Sequence, residues 1–131
     1  MTIVFPNTLD VRLHSYTDGT VWETLAPMYA IYDGHTPQQR IKRVPAGQMT
    51  DFASVPRLPI VYLCYADKFH MAALFHDLDY TIGGTEEDRV RANDDFLAGM
   101  LATVTEYQTE ADARAMYAAV CAFGAAHFNF R

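Results

Sequence analysis

The stretch KFHMAALFHDLDY, Lys68 to Tyr80, decides how the rest of the chain is read. Phe69, Ala72, Ala73, His76 and Tyr80 fall three or four residues apart, so an α-helix gathers them on one face. Upstream the pattern is different. Thr2–Phe5, Leu9–Leu13, Val21–Leu25, Met28–Tyr32 and Arg40–Val44 are runs of strand length, bounded by turn residues such as Asp18-Gly19, Asp33-Gly34 and Pro45-Ala46-Gly47. No connection among them is long enough for a crossover helix, which predicts antiparallel pairing. Downstream, Ala92, Phe96, Leu97, Met100 and Val104 mark a second helix within Asp88–Val104. Thr109-Glu110-Ala111-Asp112 has the form of a capping box with Asp in place of Glu, and opens a third helix that stops near Gly124. The expected fold class is α+β, a small antiparallel sheet in the N-terminal half followed by about three helices, with residues 1–131 forming a single domain.

Composition narrows the function classes. Half of the 131 residues are apolar, enough for a core without metal or disulfide support. No apolar run approaches the roughly 18 residues of a membrane span, and no signal peptide is recognisable, so a soluble protein is expected. Ten basic against 16 acidic residues argue against nucleic acid as a partner, because phosphate neutralisation needs a basic surface. The imbalance is local. Residues 1–66 carry five acids and five bases, so the whole formal charge of −6 sits in the helical half. Cys64 and Cys121 are too few for a disulfide framework and read as reduced core residues.

The chemistry-bearing constellation is His76-Asp77-Leu78-Asp79-Tyr80. His76 and Tyr80 share the apolar helix face, while Asp77 lies about 100° round, near its edge. An inward imidazole needs partners for its ring nitrogens. Asn93 shares a stripe with Phe96, Leu97 and Met100, and Asp94 stands beside it. A helical hairpin turning at Gly83-Gly84 would bring residue 93 or 94 against His76. A histidine so oriented can act as general base on water, and Asp77 can ligate a hard cation. The same residues can equally form a satisfied core histidine with a solvated aspartate next to it.

His76-Asp77-x-x-Tyr80, followed by Asn93-Asp94-Asp95-Phe96, resembles the helix pair of secreted-type phospholipases of the A-two class. The disulfide-poor bacterial, fungal and parvoviral forms are the closer comparison. The resemblance implies His76 as the water-activating base, Asp77 as a calcium ligand, and a second-helix residue orienting His76. That residue is usually Asp, so Asn93 departs from the pattern, and Asp94 or Asp51 are the acids that could take its place. Calcium is the one cofactor implied.

A longer stretch resembles a family of short uncharacterised proteins of tailed bacteriophages and prophages. It comprises Val44-Pro45-Ala46-Gly47, the segment Thr50-Asp51-Phe52-Ala53-Ser54-Val55-Pro56-Arg57, the His-Asp helix, Met116-Tyr117 and Phe123-Gly124. Asp51 also suits a turn or helix cap, its carboxylate accepting backbone N–H bonds. Two functions are carried forward. One is a phage or prophage protein with a hydrolase-like His/Asp site, acting with calcium on an ester such as host-envelope phospholipid. The other is a non-catalytic virion or tail-associated protein, partnered by phage structural proteins, in which the same network only holds the fold together.

Overall fold

The structure is a computed structural model that describes residues 1–15, 21–50 and 68–131. The chain forms two compact units, Met1–Asp51 and Phe52–Arg131. The class is α+β, as the change of period predicts. Among the described residues, however, the strands form two sheets where one was expected.

In the first unit, β1 (Ile3–Val4), β4 (Met28–Tyr32) and β5 (Arg40–Val44) form an antiparallel sheet in the order β1-β4-β5. The second sheet has the order β2-β3-β6, from β2 (Val11–Ser15), β3 (Val21–Thr24) and β6 (Met49–Thr50). Pro27 lies between β3 and β4, where a residue with no N–H ends the ladder. Alternation along β4 buries Met28, Ala30 and Tyr32 on one face, and Val44 joins them opposite Met28. Arg40 and Lys42 lay their cations over the Tyr32 ring, 4.7 and 4.8 Å from its centroid. Buried Thr24 ties the second sheet to the turn after β5: its hydroxyl donates to Pro45 O at 2.7 Å and accepts from Gln48 N at 2.9 Å.

The second unit contains α1 (His70–Ile82), α2 (Glu86–Leu101) and α3 (Glu110–Phe123), followed by a 3₁₀ turn at Gly124–His127. Both later helices begin at a capping box, Thr85 with Asp88 and Thr109 with Asp112. The first of these moves the start of α2 ahead of the expected Asp88. Residues on the inner stripes form the core, among them Ala72, Ala73, Leu74, Phe75, Tyr80, Ala92, Phe96, Met100, Met116 and Val120. The hairpin turns at Gly83 (φ 73°) and Gly84 (φ 136°), backbone conformations that suit glycine. Residues 129–131 lie against this turn. Gly84 N donates to Asn129 O at 3.0 Å, Asn129 N to Tyr80 O at 3.2 Å, and Arg131 N to Gly84 O at 2.9 Å. Carbonyls at the end of α1 thereby gain partners, and the end of the helix carrying His76 and Tyr80 is held.

Candidate functional site

The hairpin brings Asn93, not Asp94, against His76. On α1, the positions of His76 and Tyr80 one turn apart put both rings on the face toward α2. On α2, Asn93 lies one turn before Leu97 and three residues before Phe96, and is 2 % exposed. Asn93 Oδ1 stands 2.8 Å from His76 Nε2 and accepts the Tyr80 hydroxyl hydrogen at 2.7 Å. One amide oxygen therefore serves two side chains of the neighbouring helix. The His76 ring stacks on Phe96 at 4.4 Å between centroids and lies 4.2 Å from the Tyr80 ring. His76 itself is 2 % exposed.

Because Asn93 presents oxygen to the imidazole, Nε2 carries the hydrogen, and in the neutral ring the lone pair falls on Nδ1. The nitrogen end of the amide turns the other way, toward Cys121 Sγ at 3.9 Å, a weak acceptor. This contact corrects the reading of Cys121 as a core residue, since it is exposed on α3. Tyr80 packs edge-on against Phe128. Burial pushes the Tyr80 phenol above its ordinary value, opposed by Arg89 and by the hydrogen bond to Asn93.

Arg89 stands one turn before Asn93 on α2. Glu86 grips its guanidinium at two points, Nε to Oε2 at 2.8 Å and Nη2 to Oε1 at 2.6 Å, and this pair raises the arginine pKa most. Nη1 is buried without a hydrogen-bond partner of good geometry among the described residues.

The other candidates are placed as follows. Asp94 is exposed and accepts from the Tyr117 hydroxyl at 2.8 Å, bridging α2 to α3 rather than orienting His76. That bond raises the Tyr117 phenol above its ordinary value, with a second contribution from Cys121. Asp77 is half-buried next to His76 on α1. Asp51 and Cys64 lie outside the described residues. Among the described residues no group of three or more His, Cys, Asp and Glu gathers to hold a metal ion. Among the described residues the buried carboxylate is Asp95, at 4 % exposure. Arg89 was not among the sequence candidates, although its spacing from Glu86 and Asn93, three and four residues, is visible in the sequence.

A family model described as "Protein of unknown function (DUF1353)" matches residues 26–120. The chain belongs to this family. No curated protein and no solved structure matches it.

Proposed function

For this member of the DUF1353 family, we propose a hydrolase-type site in which His76 is the general base and Asn93 its orienting partner. The observation that carries the reading is the shared Asn93 oxygen, which fixes the imidazole as the Nε2–H tautomer. In that form Nδ1 takes a proton from water, and the water oxygen bonds to an ester carbonyl carbon. The carbon–oxygen bond to the alcohol then breaks, and the imidazolium returns its proton to the leaving oxygen. Asn93 directs the ring but brings no charge to the imidazolium, so the base is weaker than one oriented by a carboxylate. The finer proposals are a calcium ion at Asp77 and a phospholipid ester as substrate. Asp77 would hold the ion, which would polarise the ester carbonyl. The proposed setting is a phage or prophage, in the host cytoplasm or a virion, on the resemblance carried by residues 50–57. No helix among the described residues is long and apolar enough to cross a membrane.

The test is release of fatty acid from phosphatidylcholine vesicles, with calcium and with a chelator. The wild type should hydrolyse the ester, and His76→Gln should lose about 10²-fold or more while melting at a similar temperature. A wild type that releases nothing in calcium removes the hydrolase.

One observation favours a second reading. His76 is buried and stacked on Phe96, as expected of a histidine that pins two helices. The protein would then be a non-catalytic virion or tail component, and it should copurify with particles at fixed stoichiometry.

A further inference from the structure

We propose that residues 128–131 are a strap that positions Tyr80 in the histidine site, with Phe128 the positioning residue that keeps the Tyr80 hydroxyl on the Asn93 oxygen. The inference rests on the site proposed above and deepens it, but its readout does not depend on turnover. Phe128 follows the 3₁₀ turn and is 7 % exposed. It shares a core cluster with Tyr80 and Ala92, and stands edge-on to the Tyr80 ring at 5.1 Å between centroids. Tyr80 in turn donates its hydroxyl hydrogen to Asn93 Oδ1 at 2.7 Å, the same oxygen that stands 2.8 Å from His76 Nε2. Each link from Phe128 to His76 is a direct contact.

A phenol turns about its side-chain bonds, so its hydroxyl keeps one acceptor only where packing locks the ring. Around Tyr80 that packing comes from the His76 ring at 4.2 Å and from the edge of Phe128. The strap also grips the Tyr80 backbone, Asn129 N donating to Tyr80 O at 3.2 Å. Further bonds fasten it to the residues that follow. Asn129 Nδ2 donates to Thr81 O at 3.1 Å, Arg131 Nε to Ile82 O at 2.7 Å, and Gly84 N to Asn129 O at 3.0 Å. Gly83 allows this approach, since a Cβ there would fall on the Asn129 carbonyl. Asn129, Phe130 and Arg131 are exposed, whereas Phe128 and Tyr80 lie buried beneath them. Bonds at the surface open locally at lower cost than the helices unfold, so the strap is the element through which the site is tightened or loosened. Phe128 itself touches no reacting atom in this scheme.

The experiment follows the Tyr80 hydroxyl hydrogen by NMR in protein labelled with ¹³C on its tyrosine rings, the signal being assigned by its loss in Tyr80→Phe. In the wild type this hydrogen should exchange slowly with water and correlate with its own ring carbons. Phe128→Ala should lose the signal to exchange with water. Met116→Ala, a core truncation about two helical turns before Gly124, should lower stability but keep the signal. Asn129→Pro removes the N–H given to Tyr80 O and should shorten the lifetime of the signal with Phe128 still present. The Phe128 backbone, φ −83° and ψ 135°, already suits a following proline. A hydroxyl that exchanges as slowly in Phe128→Ala as in the wild type overturns the proposal. So does one that exchanges freely in the wild type, or one lost in Met116→Ala as well. Should Phe128→Ala fail to fold, Asn129→Pro carries the test, and an unchanged lifetime there overturns it. A hydroxyl that depends on the strap in a protein that hydrolyses no ester supports this role while removing the hydrolase. An active enzyme whose Tyr80 hydroxyl ignores Phe128 does the reverse.

Discussion

A Cβ placed on Gly124 would stand 2.5 Å from the Tyr80 hydroxyl oxygen and 3.3 Å from the adjoining ring carbons. The end of α3 approaches the histidine site so closely that a side chain there would collide with it. Gly124 has a helical backbone (φ −68°), so alanine brings no backbone strain and would ordinarily add about 0.4–1 kcal/mol through the unfolded chain. Overpacking a rigid core costs about 1–3 kcal/mol, and that term wins, because Tyr80 is buried and held by Phe128 and Asn93. Gly124→Ala should therefore lower stability in urea titration by about 1–2 kcal/mol net. Tyr80→Phe in the same background should recover part of the loss by removing the oxygen nearest the new methyl. A stabilised Gly124→Ala would show that the ring can yield.

Asn93 satisfies two buried donors with one atom, so its removal should cost more than an ordinary hydrogen bond. Asn93→Leu keeps much of the volume but leaves Nε2–H and the Tyr80 O–H without an acceptor, at about 1–3 kcal/mol each. We expect a loss of about 2–5 kcal/mol in denaturant unfolding. Tyr80→Phe added to Asn93→Leu should return about 1–2 kcal/mol, since the orphaned hydroxyl is gone. A cost below about 0.5 kcal/mol for Asn93→Leu would mean that the donors find other partners.

Asp94 should behave differently from its neighbour. Its bond to Tyr117 is exposed, and Asp94→Asn should cost under about 1 kcal/mol. The carboxylate holds the Tyr117 phenol above its ordinary 10.0, so Asp94→Asn should bring that titration down toward 10.0 in phenolate absorbance. The His76 tautomer should not change. A shift of the His76 ring resonances on Asp94→Asn would return Asp94 to the site.

Different parts of this fold were legible in the sequence to different depths. Met28–Tyr32 and Arg40–Val44 could be read to the residue, because turn-forming residues bound them. The start of α3 was equally legible, since Thr109 and Asp112 satisfy each other locally. The same box at Thr85 and Asp88 lies ahead of the apolar spacing that marks α2, so that spacing alone starts the helix too late. Met49–Thr50 carries no local signal, as a two-residue strand exists only through its partner β3. At the site, the hairpin turn and the helical period delivered His76 to positions 93 and 94. The choice between them turned on about 100° of helix rotation. Arg89, Cys121 and Gly124 could not be placed by period alone, because their roles depend on buried hydrogen-bond direction and on how closely α3 packs.

The two capping boxes should make the helical unit sensitive to acid in a defined window. Asp88 is held below its ordinary 3.8 first by the Thr85 backbone N–H, and Asp112 first by that of Thr109 with help from Lys68. A carboxyl whose pKa is depressed on folding contributes stability that is complete above the unfolded value. That contribution is lost as pH falls through the unfolded value toward the lower folded one, where the unfolded chain binds more protons. Thermal midpoints should therefore be flat above about pH 5 and fall below about pH 4. Asparagine can still accept the capping bond but has no proton to bind. The Asp88→Asn, Asp112→Asn double variant should start from a lower midpoint at pH 6, having lost the charge-assisted bonds, and lose less of it by pH 3. If its acid fall is as steep as that of the wild type, the linkage lies in other carboxylates, with buried Asp95 the next to test.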